Sequence, residues 1–318
     1  MFGLGSKNLT GIANFKYKIP LERIKTLDIG FKSKRFSFLV FPEDLSYNKF
    51  EPFLTINFNN SIKKNHKKTI GFSSSLIFLE YLYKGKQTDF YYVNDLYFKY
   101  DFNNYKDNFW FRINMKQANN FALISTDINK QFDYNTKKKN SFYLRVFAGM
   151  FLYNRKNSPT YIPLTPSAKF LLSASNNSYL GSSTNAFTQY QKDYSFNNFF
   201  FDRNAKDMFF SRQIGTYSDG GFKTNTNIGN SNKYLLALNM STDIPIPIPI
   251  EPWLNVALTE GVNKPDIVAE FGASINLMNK FIQFHFPFVT TKNLSTNSFA
   301  EKISFSINLM KLDKLRKY

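Results

Sequence analysis

The sequence predicts an all-β chain, an antiparallel transmembrane β-barrel of about 12–16 strands, with a long ordered loop closing or plugging the lumen. Three observations predict it. First, the closing stretch, Pro265 to Leu312, alternates in twos. Ala269, Phe271, Ala273, Ile275 and Leu277 interleave with Glu270, Gly272, Ser274 and Asn276. After the turn Met278-Asn279-Lys280, Phe284, Phe286 and Phe288 alternate with Gln283, His285 and Pro287. After the polar loop Thr290 to Ser298, Ile303, Phe305, Ile307 and Leu309 alternate with Lys302, Ser304, Ser306 and Asn308. Strict period-2 alternation means extended strands with one apolar and one polar face. Second, these strands approach the length that crosses a tilted bilayer, about 9–11 residues, and their apolar side is rich in Phe, Ile and Leu. Third, aromatics reach 18%, with 37 Phe and 19 Tyr among 318 residues, while mean hydropathy is negative. No run of eighteen apolar residues occurs. That excludes a transmembrane helix and leaves a barrel, which hides apolarity at every second position. A soluble sandwich alternates in the same way, but with its apolar faces turned inwards.

Earlier elements follow the same rule. Thr10 to Ile19 alternates weakly and ends at Pro20. Ile24 to Phe31 continues through Phe36, Phe38 and Val40 to a stop at Pro42. Phe53 to Phe58 reads as a short strand, and Lys63-Lys64-Asn65-His66-Lys67-Lys68 as a solvated hairpin tip. Longer strands then follow as meandering hairpins: Thr69–Tyr83, Phe90–Phe102, Phe109–Lys116, Phe121–Tyr134 and Ser141–Tyr153. An Arg or Lys facing lipid at the midplane costs roughly 2–4 kcal/mol, so Arg112, Lys116 and Arg145 are assigned to the lumen. Tyr81, Tyr83, Tyr100, Tyr153 and Trp253 are the candidates for an aromatic girdle at the membrane interfaces.

Asn154 to Gly221 breaks the rhythm, apart from one short strand at Lys169–Ser175. A connection this long is usually a functional loop or a lid, and the inserted loop, about 176–221, is read as folding over or into the barrel mouth. Alternation resumes at Phe222–Gly229 and Tyr234–Asp243. Proline cannot donate to a ladder, so the run Ile244 to Ile250 (IPIPIPI) reads as a stiff, extended connection ahead of Trp253–Leu258. The count is thirteen to fifteen candidate strands in one domain, 1–318. Bacterial single-chain barrels take even numbers.

Lys plus Arg (41) against Asp plus Glu (23) gives a formal charge of +18. Solvated loops, anionic lipid headgroups or lipopolysaccharide, and an anion-attracting lumen all accommodate it. The lysines are scattered through strands and turns, which argues against nucleic acid. With no Cys and two His, thiolate sites and paired-His metal sites are excluded, and neither a nucleophile elbow nor a phosphate-cradling glycine loop occurs. No cofactor or metal is expected, nor catalysis by this chain. His285 is the only plausible base for a barrel-borne hydrolase. The lumen candidates are Arg112, Lys116, Arg145, Glu270 and His285, with Arg203 and Arg212 from the long loop. The N-terminal segment lacks the features of a secretory signal, so the expectation is mature numbering, a fragment or a detached C-terminal domain.

Several short blocks carry a resemblance: Asp193-Tyr194-Ser195-Phe196, Phe200, Arg203-Asn204, Ser211-Arg212-Gln213, and Asp219-Gly220-Gly221-Phe222-Lys223. With the Asp243–Trp253 segment and the ending Phe281–Phe288 and Glu301–Leu312, they resemble the C-terminal region of large Bacteroidetes outer-membrane-associated gluzincin-type (aminopeptidase-like) metalloproteases. The resemblance implies a membrane-anchoring barrel downstream of a periplasmic peptidase-like domain. The zinc motif of that family has no matching positions here, so no catalytic residue carries over. More distantly, the chain resembles the surface-antigen barrels of outer-membrane assembly factors, which end in an aromatic alternating strand and carry a long inward loop. The loop motif of that family is not identified in this sequence. The resulting expectation is a non-catalytic outer-membrane anchor or scaffold for a periplasmic or surface domain or for other complex subunits. A channel for anionic solutes and a soluble all-β binding protein are the rivals.

Overall fold

The computed structural model describes residues 2–3, 10–22, 24–40, 43–58, 65–82, 86–104, 107–135, 140–155, 172–173, 219–224, 230–246, 248–260, 265–278, 280–291 and 298–307. Fourteen strands form one sheet in sequence order, each antiparallel to the next. They begin with β1 (Phe2–Gly3), β2 (Thr10–Pro20), β3 (Thr26–Val40), β4 (Glu43–Phe58) and β5 (His66–Leu82). The meander continues through β6 (Lys86–Asn103), β7 (Asp107–Gln117), β8 (Phe121–Asn135) and β9 (Asn140–Asn154). Two-residue strands β10 (Leu172–Ser173) and β11 (Asn230–Ser231) pair separately. The main sheet resumes with β12 (Tyr234–Thr242) beside β9, then β13 (Ile250–Glu260), β14 (Pro265–Leu277), β15 (Ile282–Thr290) and β16 (Ser304–Ile307). One helical turn, α1 (Phe299–Lys302), precedes β16.

The side chains sort in the inverse order to a soluble sandwich. On β14, Glu270, Ser274 and Asn276 are buried, whereas Phe271 keeps 45% of its surface exposed and Leu277 40%. On β4, Lys49 and Glu51 are buried while Phe50 and Leu54 are exposed. Register brings the outward rings together across strands. Phe15 pairs directly with Phe31 and stacks on it with centroids 5.7 Å apart, and Phe31 meets Phe50 at 5.4 Å. The inward polar groups pair instead. Lys49 Nζ lies 2.5 Å from Glu51 Oε2, Lys32 donates to Glu51 Oε1 at 3.0 Å, and Ser75 donates to Oε2 at 3.2 Å. Buried charges persist only when partnered in this way. Among the described residues no second sheet beyond the two-residue pair β10–β11 faces the polar side, and a single sheet buries one face by curving round on itself. An apolar outside around a polar inside is the pattern of an antiparallel transmembrane barrel, the outer-membrane type of fold.

Several expectations need correction. The strand assigned to Phe53–Phe58 runs for 16 residues. Pro52 concealed it: it pairs with Phe31 of β3, and the ladder to β5 lapses between Phe50 and Phe53, where a missing N–H costs nothing. His66 to Lys68 begin β5 rather than capping a turn, and the His66 ring hydrogen-bonds the Tyr100 hydroxyl. Of the short strand expected at Lys169–Ser175, Leu172–Ser173 is strand, and the rest lies outside the described residues. Phe222–Gly229 is no strand in its described part, since Phe222 makes a single bridge. β16 starts at Ser304 because α1 takes up Lys302. The Ile-Pro run is not extended. Ile246 N donates to Ile244 O and Ile250 N to Ile248 O, each at 2.8 Å, closing tight turns over Pro245 and Pro249 at the β12–β13 hairpin. The fixed φ of proline suits the inverse γ-turn.

Candidate lumenal site

The long connection between β9 and β12 enters the lumen at Asp219–Thr224. Gly221 has φ 72°, and a Cβ there would lie 2.6 Å from Asn239 Oδ1. Only glycine adopts this backbone so close to a wall without strain. The turn aims two successive N–H groups at one carboxylate. Lys223 N donates to Glu270 Oε1 at 2.6 Å and Thr224 N to Oε2 at 2.8 Å. Asn255 Nδ2 adds a third bond at 2.6 Å. Ser304 Oγ of β16 donates to Lys223 O at 2.6 Å, and Asn239 Nδ2 to Gly220 O at 2.6 Å. Charge-assisted bonds of this kind are shorter and stronger than neutral ones. The segment is therefore bonded directly to β12, β14 and β16, and through Glu270 to Asn255 of β13.

Two layers surround this knot. Towards the long-loop rim, Phe222 joins Leu172, Phe121, Phe147, Phe151, Leu235 and Val268 in an apolar cluster inside the barrel. Towards the short-turn rim the contacts are polar. Arg145 makes a bidentate contact to Asp127, with Nη2–Oδ2 at 2.8 Å and Nε–Oδ1 at 3.0 Å, and reaches Asn239 Oδ1 at 3.3 Å. Lys280, in the β14–β15 turn, lies 2.8 Å from Glu251 and 3.2 Å from Asp243, with its ammonium over the Tyr143 ring. Burial alone would depress the Lys280 ammonium, yet the two carboxylates hold it above its ordinary value.

Arg112, Lys116, Arg145, Glu270 and His285 all lie on the inward face. Arg112 sits over the Tyr97 ring at 4.2 Å with Asp95 at 3.9 Å, and Lys116 approaches the same Asp95 at 4.0 Å. His285 is held between two hydroxyls, Ser274 Oγ at 2.7 Å from Nδ1 and Ser306 Oγ at 3.1 Å from Nε2. Neither ring nitrogen meets a carboxylate among the described residues, so the orienting acid of a hydrolase triad has no counterpart there. Arg203 and Arg212 lie outside the described residues, as does all of the 176–221 loop before Asp219. Among the girdle candidates, Tyr83 is outside them too, and Tyr81 is described only as a strand residue. Tyr100 lies in an outward group with Phe109 and Phe111. Tyr153 donates to Ala118 O at 2.8 Å at the long-loop rim.

Trp253 is a correction. It keeps 2% of its surface exposed and faces the lumen, because inward positions on β13 fall at 251, 253, 255, 257 and 259. Its ring fills the space left by Gly272 on β14, where a Cβ would lie 2.5 Å from the indole, and Lys223 Nζ lies over it at 5.2 Å. Gly272→Ala is therefore expected to destabilise the barrel by about 1–3 kcal/mol through overpacking, read as a lower urea midpoint of unfolding. A Cβ there would also run into Phe286 O on β15, so an unchanged midpoint would mean that both the indole and the neighbouring backbone give way.

The segment Asp219–Thr224 was visible in sequence only as a motif of resemblance. Gly220-Gly221 before an aromatic and a lysine is the signal for a tight turn aimed at an anion. Glu270 is the one buried carboxylate on β14, but its partners 46 and 47 positions away have no local signature.

Among the described residues, no group of three or more His, Cys, Asp or Glu is placed to hold a metal. No family model and no curated protein matches the chain by sequence, aminopeptidase-like families included. Solved structures that align with the chain include CdiB from Acinetobacter baumannii, at 10% identity and TM-score 0.45 over 93% of this chain and 49% of that one. BamA from Haemophilus ducreyi lacking POTRA domains 1–3 aligns at 10% identity and TM-score 0.49, over 93% and 61%. CdiB from Escherichia coli aligns at 9% and 0.42, over 88% and 48%. The chain spans about half to three fifths of the length of these proteins.

Proposed function

We propose that this chain is the membrane-embedded, non-catalytic part of a bacterial outer-membrane protein, an anchor or scaffold whose lumen is closed by its own long loop. The observation that carries the reading is the pair of hydrogen bonds from Lys223 and Thr224 to Glu270 of β14, in a segment that Asn239 of β12 and Ser304 of β16 also bond. A barrel built to pass solutes keeps a wet lumen, whereas the loop here brings its own apolar cluster, with Phe222 and Leu172 buried. The lipid bilayer covers the outward aromatic face, and anionic headgroups or lipopolysaccharide suit the net charge of +18. The partner is a periplasmic or surface domain or a further outer-membrane subunit. A peptidase-like domain rests on the sequence resemblance alone.

Planar-bilayer recording tests the closed lumen. Wild-type protein is expected to show no steady conductance, and Glu270→Ala frequent openings. A steady anion-selective current from wild type would replace the anchor by the channel.

A further inference from the structure

Two hairpins rise above the rest of the barrel. β3 pairs with β2 only as far as Arg35 and runs on to Val40, opposite Glu43 of β4. β6 pairs with β7 only up to Asn94, yet it stays paired with β5 as far as Lys86. Leu45 of β4 pairs with Tyr81 of β5 and joins the two hairpins. The result is a four-stranded wall, β3 to β6, on the rim that carries the long connection. In bacterial barrels the long connections lie on the outer side.

The apolar belt ends below this wall. Leu96 of β6 and Ile113 and Met115 of β7 are exposed on the outward face. One step higher, the same face carries Asn94 and Gln117, whose amides bond each other at 3.0 Å. Higher still, Phe78 and Phe90 stand opposite each other on β5 and β6, with ring centroids 5.0 Å apart. Both keep nearly half of their surface exposed. The inner face is covered, because Val93 belongs to the lumenal apolar cluster and Tyr91 packs against it.

The flank of β6 that faces β7 is a strand edge along Lys86–Val93, since no described strand continues beside it. Backbone groups of an antiparallel strand turn alternately to its two neighbours. Asn103 N donates to Asn65 O on the β5 side, and Asn104 N to Asp107 O on the β7 side. The ladder to β5 is unbroken from Phe102 to Lys86. Lys86, Thr88 and Tyr92 therefore aim their N–H and C=O groups where β7 has ended. Such a row is a template for one more strand. A second copy does not fit it. Two barrels side by side in one bilayer run their β6 strands in the same sense, and strands tilted about 35–45° cross instead of lying alongside.

We propose that the β6 edge takes up an extended segment of a separate partner protein on the outer side of the membrane. The segment adds antiparallel to Lys86–Val93, and its apolar side chains extend the Phe78–Phe90 row. This inference rests on the scaffold reading and names how the partner is held.

The test uses the full chain refolded in detergent. Amide exchange followed by NMR is expected to be faster at Thr88 and Tyr92 than at Gln87 and Asp89, which face β5. A fluorescent peptide of alternating valine and threonine is expected to bind saturably, and its copy N-methylated at alternate amides is not. Thr88→Pro with Tyr92→Pro removes two edge donors and spares the β5 ladder. It is expected to weaken peptide binding about tenfold, as for two lost hydrogen bonds. If that variant fails the gel-mobility test for folding, Thr88→Pro alone is expected to weaken binding by a smaller factor. Slow exchange at Thr88 and Tyr92 would show the edge covered by the chain itself and overturn the proposal. So would a dimer that the prolines dissolve, a titration without saturation, or binding that neither N-methylation nor proline weakens. Labels at Phe72→Cys and Phe90→Cys in brominated lipid separate this proposal from the reading beneath it. Quenching at 72 with 90 spared is expected. Quenching at both puts the wall in lipid and overturns this proposal alone, whereas quenching at neither overturns the membrane anchor as well.

Discussion

Glu270→Ala is expected to free Asp219–Thr224 from the barrel wall and to turn the Lys223–Thr224 bond into a trypsin site in the folded protein. In wild type the segment is bonded to β12, β14 and β16, and Lys223 N and Thr224 N both donate to one carboxylate. Removal of the carboxylate leaves those N–H groups and the Asn255 amide without their acceptor inside the lumen. Bonds to a charged group contribute about 1.5–3 kcal/mol each. They form a unit and do not add, so a loss of about 3–5 kcal/mol in stability is expected, as for other broken buried charge sites. Limited trypsinolysis in detergent, followed by mass spectrometry, reads the cleavage. Glu270→Gln keeps one acceptor oxygen and should fall between the two. A variant as resistant as wild type at Lys223 would show that the segment is held by Phe222 and the apolar cluster rather than by Glu270.

Phe271→Arg is expected to produce the second large effect. Phe271 is central in the 13-residue β14, opposite Leu254 and Val289, and nearly half exposed. In a bilayer that exposure means lipid, and an arginine there costs about 2–4 kcal/mol. Lys116→Arg is the control, because it replaces one inward cation by another beside Asp95. Its unfolding midpoint in lipid vesicles should stay close to wild type, while that of Phe271→Arg falls clearly. Equal midpoints would place Phe271 against water or protein.

What could be read in the sequence depended on how far period-2 alternation coincided with residue type. On β14, every inward residue from Glu270 to Asn276 is polar or glycine, so parity and chemistry agree, and the strand is legible in full. Arg112 and Arg145 were legible for the same reason: an arginine has one affordable side in a membrane strand. Trp253, Phe147 and Phe151 were not. They are apolar and face inwards, because part of the lumen is filled by Phe222 and Leu172 rather than by water. An aromatic residue in a strand therefore does not identify the lipid side by itself once a plug is present. Proline misled twice. Pro52 concealed a long strand by sitting where a ladder lapses, and the Ile-Pro run became turns because φ alone does not decide between an extended chain and a γ-turn. The contact between Lys223 and Glu270 joins segments 47 positions apart, a proximity that no local pattern encodes.

The central claim is that the apolar face of the sheet meets lipid. The chain has no native cysteine, so single cysteines can be placed along β14 at Phe271, Gly272, Ala273, Ser274 and Ile275 and labelled with an environment-sensitive fluorophore. In vesicles whose acyl chains carry bromine, labels at 271, 273 and 275 are expected to be quenched and those at 272 and 274 spared. An alternating trace establishes lipid on one face and lumen on the other. Uniform quenching, no quenching or the opposite alternation would contradict the barrel.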